Sequence, residues 1–253
     1  MSSLIRLNKV LARAGICSRR KADELIASGQ IMVNDVRVCE PGIKVDPESD
    51  RILFQGRRIS HNLSDAELIY VALNKPVQVV TTVSDPQGRS TVIDLIPQDL
   101  NKYRLFPAGR LDYFSQGLII LTNDGDIVHR LTHPSWNHPK VYELIVRQKP
   151  DRQAIKTMTT GMTLKDGQRL APVKADIIKS GQDRTVLELT LVQGINRQIR
   201  RMCSDLGLTI LRLTRIRHGP IRLGNLQPGK CRILGRQEIQ DLKNSLGLTA
   251  SDK

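Results

Sequence analysis

Aromatic residues are scarce in this chain of 253 residues: three Phe, four Tyr and one Trp. Any ring in a functional site is therefore one of very few. No apolar run approaches the ~20 residues of a membrane-spanning helix, and the N-terminus has no apolar segment of the signal-peptide kind. A cytoplasmic protein with no membrane partner is expected. The four cysteines, Cys17, Cys39, Cys203 and Cys231, are scattered without a C-x-x-C pair, which points to reduced thiols rather than disulfides or a zinc site. His129 and His133 share a helical spacing without the H-E-x-x-H pattern, so no metal is expected. A glycine-rich phosphate loop and a dinucleotide fingerprint are both missing. No cofactor is expected either, which counts against an RNA methyltransferase. Acids are the last shortage. Against 39 Lys and Arg there are 25 Asp and Glu, and the resulting formal charge of +14 draws polyanions and favours nucleic acid as a partner.

Punctuation marks off a small module over residues 1–60. Leu4, Leu7, Val10, Leu11 and Ala14 recur at helical spacing, and Gly15 ends that helix. Ser18 is placed to cap a second helix carrying Ala22, Leu25 and Ile26, which Gly29 stops. Residues 31–38 alternate around Asn34-Asp35, a two-residue hairpin signal. Arg13, Arg19, Arg20 and Lys21 gather where the two helices meet. Isolated surface cations usually meet only solvent, but four within nine positions around a cap indicate contact with phosphate. The stretch from Leu11 to Ile26, followed by Gly29 to Asn34, resembles the alpha-L RNA-binding motif of small-subunit ribosomal proteins. That motif accompanies many kinds of RNA enzyme, so it implies binding without naming a reaction. Residues 61–67, polar and aperiodic, read as a linker.

Residues 68–246 form the expected larger domain, and 247–253 a C-terminal tail. Strands are expected at 68–73, 78–83, 118–121, 140–147, 169–178 and 185–192 from β-branched content and flanking turns. Helices are expected at 126–131, 151–160, 197–206 and 238–245. Strand runs with scattered helices, rather than strict alternation, give an α+β domain on a mixed or antiparallel sheet flanked by helices. Basic residues are unevenly spread: residues 194–236 hold ten against one acid, and residues 1–60 eleven against seven.

The densest chemical signal is Gly109-Arg110-Leu111-Asp112-Tyr113-Phe114-Ser115-Gln116-Gly117, which runs into the apolar stretch 118–121 and the turn signal Asn123-Asp124-Gly125. Asp112 sits on a loop carried by rigid core. On spacing alone it reads as a turn residue bonding its own backbone. A second signal is the helix beginning near Arg197, where Ile195, Ile199, Met202, Cys203 and Leu206 fall on one apolar stripe. Arg200 lies at the edge of that stripe and Arg197 and Arg201 point away from it. Arg200 can thus reach inward, where it needs a carboxylate, while Arg197 and Arg201 are left for solvent or phosphate. Tyr142, in a strand, reads by itself as a packing residue.

Together these segments resemble the bacterial ribosomal RNA pseudouridine synthases. The family's first motif is usually G-R-L-D-x-x-T-x-G-L-L-L-L-T-N-D-G, and Ser115 and two isoleucines depart from it here. Its other motif, E-G-R-N-R-Q-[IV]-R-R-M, is met with Gln193 and Ile195 as departures, and Lys140-Val141-Tyr142 is similar to a further K-x-Y segment. After Lys75-Pro76 the family usually has x-Gly where this chain has Val77-Gln78, so that turn is expected to differ in shape. The resemblance spans Leu4 to Glu238. It implies that Asp112 is catalytic, attacking the sugar or acting as a base at C2′, and that Arg200 pairs with it. Either role requires an ionised carboxylate, which a neighbouring guanidinium favours. It further implies that Tyr142 stacks on the target base and that Arg110 lies beside the flipped nucleotide and helps fill its place. The expected function is isomerisation of one uridine in ribosomal RNA, the large subunit favoured over the small. A non-enzymatic rRNA-binding or ribosome-assembly factor is the alternative, and the retained Asp112, Tyr142 and Arg200 speak against it.

Overall fold

The computed structural model describes residues 4–59 and 67–248, and the chain divides into two compact units, Met1–Leu68 and Ile69–Lys253. In the first unit, strand β1 (Ile5–Arg6) leads into helix α1 (Leu7–Arg13), whose Leu7, Val10 and Leu11 are buried. Leu4, expected on that apolar stripe, lies before the helix and is exposed. The chain is extended there because β1 pairs with β4 (Lys44–Val45). Ser18 Oγ accepts the Lys21 N–H and caps α2 (Arg19–Ala27). Strands β2 (Ile31–Val33) and β3 (Val36–Val38) form the expected hairpin, with Asn34 and Asp35 both at positive φ, as its two-residue turn requires. β5 (Ile52–Phe54) joins β2 to β6 (Arg57–Arg58). Helices and strands close over Leu11, Ile26, Ile31 and Ile52, each large apolar side chain contributing about 1.5–3 kcal/mol by burial.

The second unit supplies β7 (Tyr70–Lys75), β8 (Phe106–Pro107), β9 (Gln116–Thr122), β10 (Lys140–Val146), β11 (Lys174–Ser180) and β12 (Thr185–Leu191). It continues with β13 (Ile210–His218), β14 (Ile221–Arg222) and β15 (Cys231–Ile233). Helices α3 (Gly125–Thr132), α4 (Arg152–Thr160), α5 (Gln198–Asp205) and α6 (Arg236–Ser245) are interspersed. The main path of the sheet is β11-β12-β10-β13-β9-β7-β15, with β8 on β9 and β14 on β13. Among the described strands only β13 and β9 pair in parallel, so the sheet is mixed and the domain α+β. Strands β7 and β9 are buried on both faces: Tyr70, Ala72, Leu118 and Ile120 meet α3 and α6, and Val71, Leu73, Ile119 and Leu121 meet loop residues such as Val92 and Leu105. Two-sided burial is why both strands read as unbroken apolar runs. β12 instead alternates, turning Leu187, Leu189 and Leu191 towards a core shared with Met158 of α4 and Met202 of α5.

Several elements differ from the sequence expectation. Residues 78–83 form no strand: apart from one bridge, Val80 to Thr91, Gln78 and Thr81 bond to the loop ahead of β9, and Thr82 bonds within its own segment. The strand expected over 169–178 begins only at Lys174, after Pro172, which has no N–H to donate. Asp124 belongs to a helix start rather than a free turn, its Oδ1 accepting the N–H groups of Asp126 and Ile127. Arg197 precedes its helix in the left-handed region, at φ 50°. β13 has no counterpart among the expected strands. Most of the linker and most of the tail lie outside the described residues.

Candidate active site

A cleft of about 730 Å³ in the second unit is lined by Asp112, Arg110, Tyr142, Lys140, Arg197 and Arg200, among others. The loop that carries Asp112 is fixed at several points. The Thr81 hydroxyl accepts the Leu111 N–H at 3.2 Å and donates to the Leu111 carbonyl at 2.9 Å. The Gln78 N–H donates to Tyr113 O at 2.8 Å, and the Ser115 N–H to Asp112 O at 3.0 Å. Gln78 occupies the place where the resembling family has glycine, and it keeps a glycine-like φ of 63°. The turn is therefore not reshaped. A side chain is instead forced into a conformation costing about 1–2 kcal/mol.

Arg200 spans this loop. Its Nη2 donates to Phe114 O at 2.8 Å and to Ser115 Oγ at 3.0 Å, while its Nε lies 3.6 Å from Asp112 Oδ2. The hydroxyl at position 115 thus has a structural partner, which explains why Ser can stand for Thr. At 3.6 Å the contact with Asp112 is an ion pair without a hydrogen bond. Burial lowers the Arg200 pKa from its ordinary value and Asp112 opposes that shift. Among the described residues no hydrogen bond ties down the Asp112 carboxylate, so the turn-residue reading gives no account of it. Beneath the loop lies Lys75, wholly buried, with Nζ donating to the carbonyls of Pro76 and Val79, both at 2.8 Å. Burial pushes its pKa down to about 8, and the charge of Asp112 works the other way. Sequence reasoning assigns Lys75 no role; a lysine ending an apolar strand is the available signal.

Tyr142 reaches the cleft from β10, beside a register shift. Val141 faces Arg217 of β13 but Tyr142 faces Arg215, so Ile216 is an extra residue. Such a bulge re-aims side chains, and it sets Arg215 across from Tyr142, where both line the cleft. Gly117 of β9 pairs with the same strand: a Cβ there would come within 2.6 Å of Arg215 N, so only glycine fits. Arg110 and Arg197 are exposed and line the cleft. Arg201 does not behave as expected. It pairs with Asp166 and donates to Gln168 Oε1 rather than standing free for phosphate. Gln193, in place of the family's Glu, accepts the Ala171 N–H at 2.9 Å. In the N-terminal unit Arg13, Arg19, Arg20 and Lys21 are exposed, and Lys21 meets Glu24 at 2.8 Å.

The family profile for RNA pseudouridylate synthase matches residues 69–205, and the S4 domain profile matches residues 5–52. The chain belongs to the RNA pseudouridylate synthase family and acts on RNA as a pseudouridine synthase. It is 40% identical, over 96% of both chains, to an uncharacterised RNA pseudouridine synthase of Aquifex aeolicus. It is 36% identical to ribosomal large subunit pseudouridine synthase B of Bacillus subtilis, over 94% of this chain and 95% of that one. It is also 36% identical to the dual-specificity RNA pseudouridine synthase RluF of Escherichia coli, over 95% and 79%. A solved pseudouridylate synthase crystal structure superposes with TM-score 0.66 at 27% identity, covering 94% of this chain and 99% of that one. Among the described residues no helix is long and apolar enough to cross a membrane.

Proposed function

We propose that this chain isomerises a uridine of large-subunit ribosomal RNA, with Asp112 as the attacking group. The observation that carries the reading is the unbonded Asp112 carboxylate, set on a clamped loop in a cleft and accompanied by Arg200 at 3.6 Å. The reaction breaks the bond from ribose C1′ to N1 of uracil, turns the freed base and joins its C5 to C1′. A uridine stacked in RNA is out of reach, so it flips out, at a cost of a few kcal/mol that stacking and phosphate contacts offset. Tyr142 supplies the stacking surface and Arg110, exposed beside Asp112, helps fill the place the base leaves. Asp112 serves either as nucleophile on the sugar or as base at C2′. Arg200 holds its loop through the Phe114 and Ser115 contacts and stands 3.6 Å from its carboxylate. Arg13, Arg19, Arg20 and Lys21 of the N-terminal unit, with Arg197 at the cleft, contact RNA phosphates.

The large subunit is favoured because a relative similar over nearly its whole length carries that substrate in its name. The test is to map pseudouridine in ribosomal RNA from a strain lacking the gene. One position missing from large-subunit RNA supports the reading. A full complement in that RNA, or a loss confined to the small subunit, overturns it.

A further inference from the structure

The most buried arginine of the catalytic unit has no acid. Arg215 is 1% exposed, its Nε donates to Leu118 O at 2.7 Å, and its Nη2 is buried without a protein acceptor. Beside it on the cleft face stands Lys140, two residues from Tyr142 on β10, with Nζ donating to His138 O at 3.0 Å. Among the described residues neither cation makes an ion pair. Burial, then the nearby Arg215, pushes the Lys140 pKa down to about 8. Neighbouring His138 loses proton affinity through burial and through Lys140, and His218 through burial and both cations, while the Asp112 carboxylate lines the same cleft. Several other arginines of the unit show the opposite habit. Arg201, Arg212 and Arg232, all more exposed, pair with Asp166, Glu143 and Glu238.

A buried cation beside a half-buried one is costly unless an anion meets them. The strand bulge that places Arg215 opposite Tyr142 builds this pairing into the floor of the cleft. Resting on the reading that a uridine of RNA enters there, we propose that Lys140 and Arg215 form an anion subsite for a backbone phosphodiester adjoining the flipped nucleotide. A uracil carbonyl brings only partial charge. A phosphodiester brings a full one.

The probes are the dinucleotides ApU and UpA, with a phosphodiester on the 5′ or the 3′ side of uridine, and their uncharged methylphosphonate counterparts. Binding is measured by calorimetry on the full chain. The wild type is expected to bind one charged dinucleotide at least tenfold tighter than its neutral form, which also tells which side is held. In Lys140→Gln that ratio is expected to fall below threefold, and in Arg215→Lys, which keeps the charge, to stay above it. Arg215 is deeply buried, so if its variant fails to fold, Lys140→Gln decides alone. An undiminished ratio in Lys140→Gln, or a wild type indifferent to the charge of both probes, overturns the proposal. Tritium release from 5-tritiated uridine in ribosomal RNA tests the underlying reading separately. Release without the phosphate effect sinks only the subsite, and no release sinks the function itself.

Discussion

The two units of this protein carry positive charge in different ways. In the N-terminal unit Arg13, Arg19, Arg20 and Lys21 stand exposed on two short helices. In the catalytic unit Arg200, Arg201, Arg212 and Arg232 each face a carboxylate, and Arg215 is sunk in the floor of the cleft. Counting along the sequence makes residues 194–236 the stronger attractor, with ten cations against one acid. In the fold, acids outside that stretch pair with four of those ten cations, Arg200, Arg201, Arg212 and Arg232, so charge count alone overstates its attraction. Exposed cations attract a polyanion at a distance, whereas buried ones shape a site.

The sharpest way to break this comparison is at its structural base, where β9 and β13 touch. Gly117→Ala is expected to lose about 3 kcal/mol or more and all activity, because the new Cβ meets the Arg215 backbone. Thermal unfolding checks it; an unchanged melting temperature contradicts the close approach. Next comes Arg200→Ala. It leaves Phe114 O and the buried Ser115 hydroxyl without their donor, a loss of about 2 kcal/mol, seen as a fall of roughly 4–8 °C in Tm. The larger penalty of a deeply buried ion pair does not apply, since the two side chains are 20% and 38% exposed. Arg201→Ala removes a partly exposed pair and should cost under about 1 kcal/mol, with little change in RNA affinity. Equal melting temperatures for the two variants would remove the distinction between them.

The third test compares the units directly. Replacing Arg19 and Arg20 with alanine should leave Tm unchanged and flatten the log–log salt dependence of RNA binding by about 0.7 for each phosphate that is no longer neutralised. Arg212→Ala, which breaks a pair with Glu143, should leave that slope unchanged. A larger slope change in Arg212→Ala would reverse the assignment of roles. A small effect of the opposite sign is expected at Gln78, where Gln78→Gly relieves a left-handed side chain and should add about 1 kcal/mol of stability, read from denaturant unfolding.

Much of this is legible in the chain because local chemistry decides it. Ser18 caps its helix through its own side chain, Asn34-Asp35 dictates a hairpin, and the Asp112 loop is bounded by residues whose turn preferences are strong. The stripe on α5 puts Arg200 at the edge that reaches the loop, and the structure finds it there. What escapes is non-local. β13 is hidden because arginines at 212, 215 and 217 interrupt its apolar positions and the bulge at Ile216 breaks the two-residue period. Arg201 reads as free because its partner Asp166 is 35 positions away, on another segment. Thr81 and Gln78 look like strand residues, since nothing local announces that their polar groups serve the Asp112 loop.

The central claim is that Asp112 performs the isomerisation while other groups hold the RNA. It is tested by incubating wild type and Asp112→Asn with ribosomal RNA carrying 5-tritiated uridine, without added cofactor, and measuring tritium release alongside RNA binding. A neutral amide can neither attack nor abstract a proton, yet it removes no phosphate contact. The account predicts release by the wild type, none above background by Asp112→Asn, and RNA affinities within about twofold of each other. Release by the variant within tenfold of the wild-type rate would contradict it.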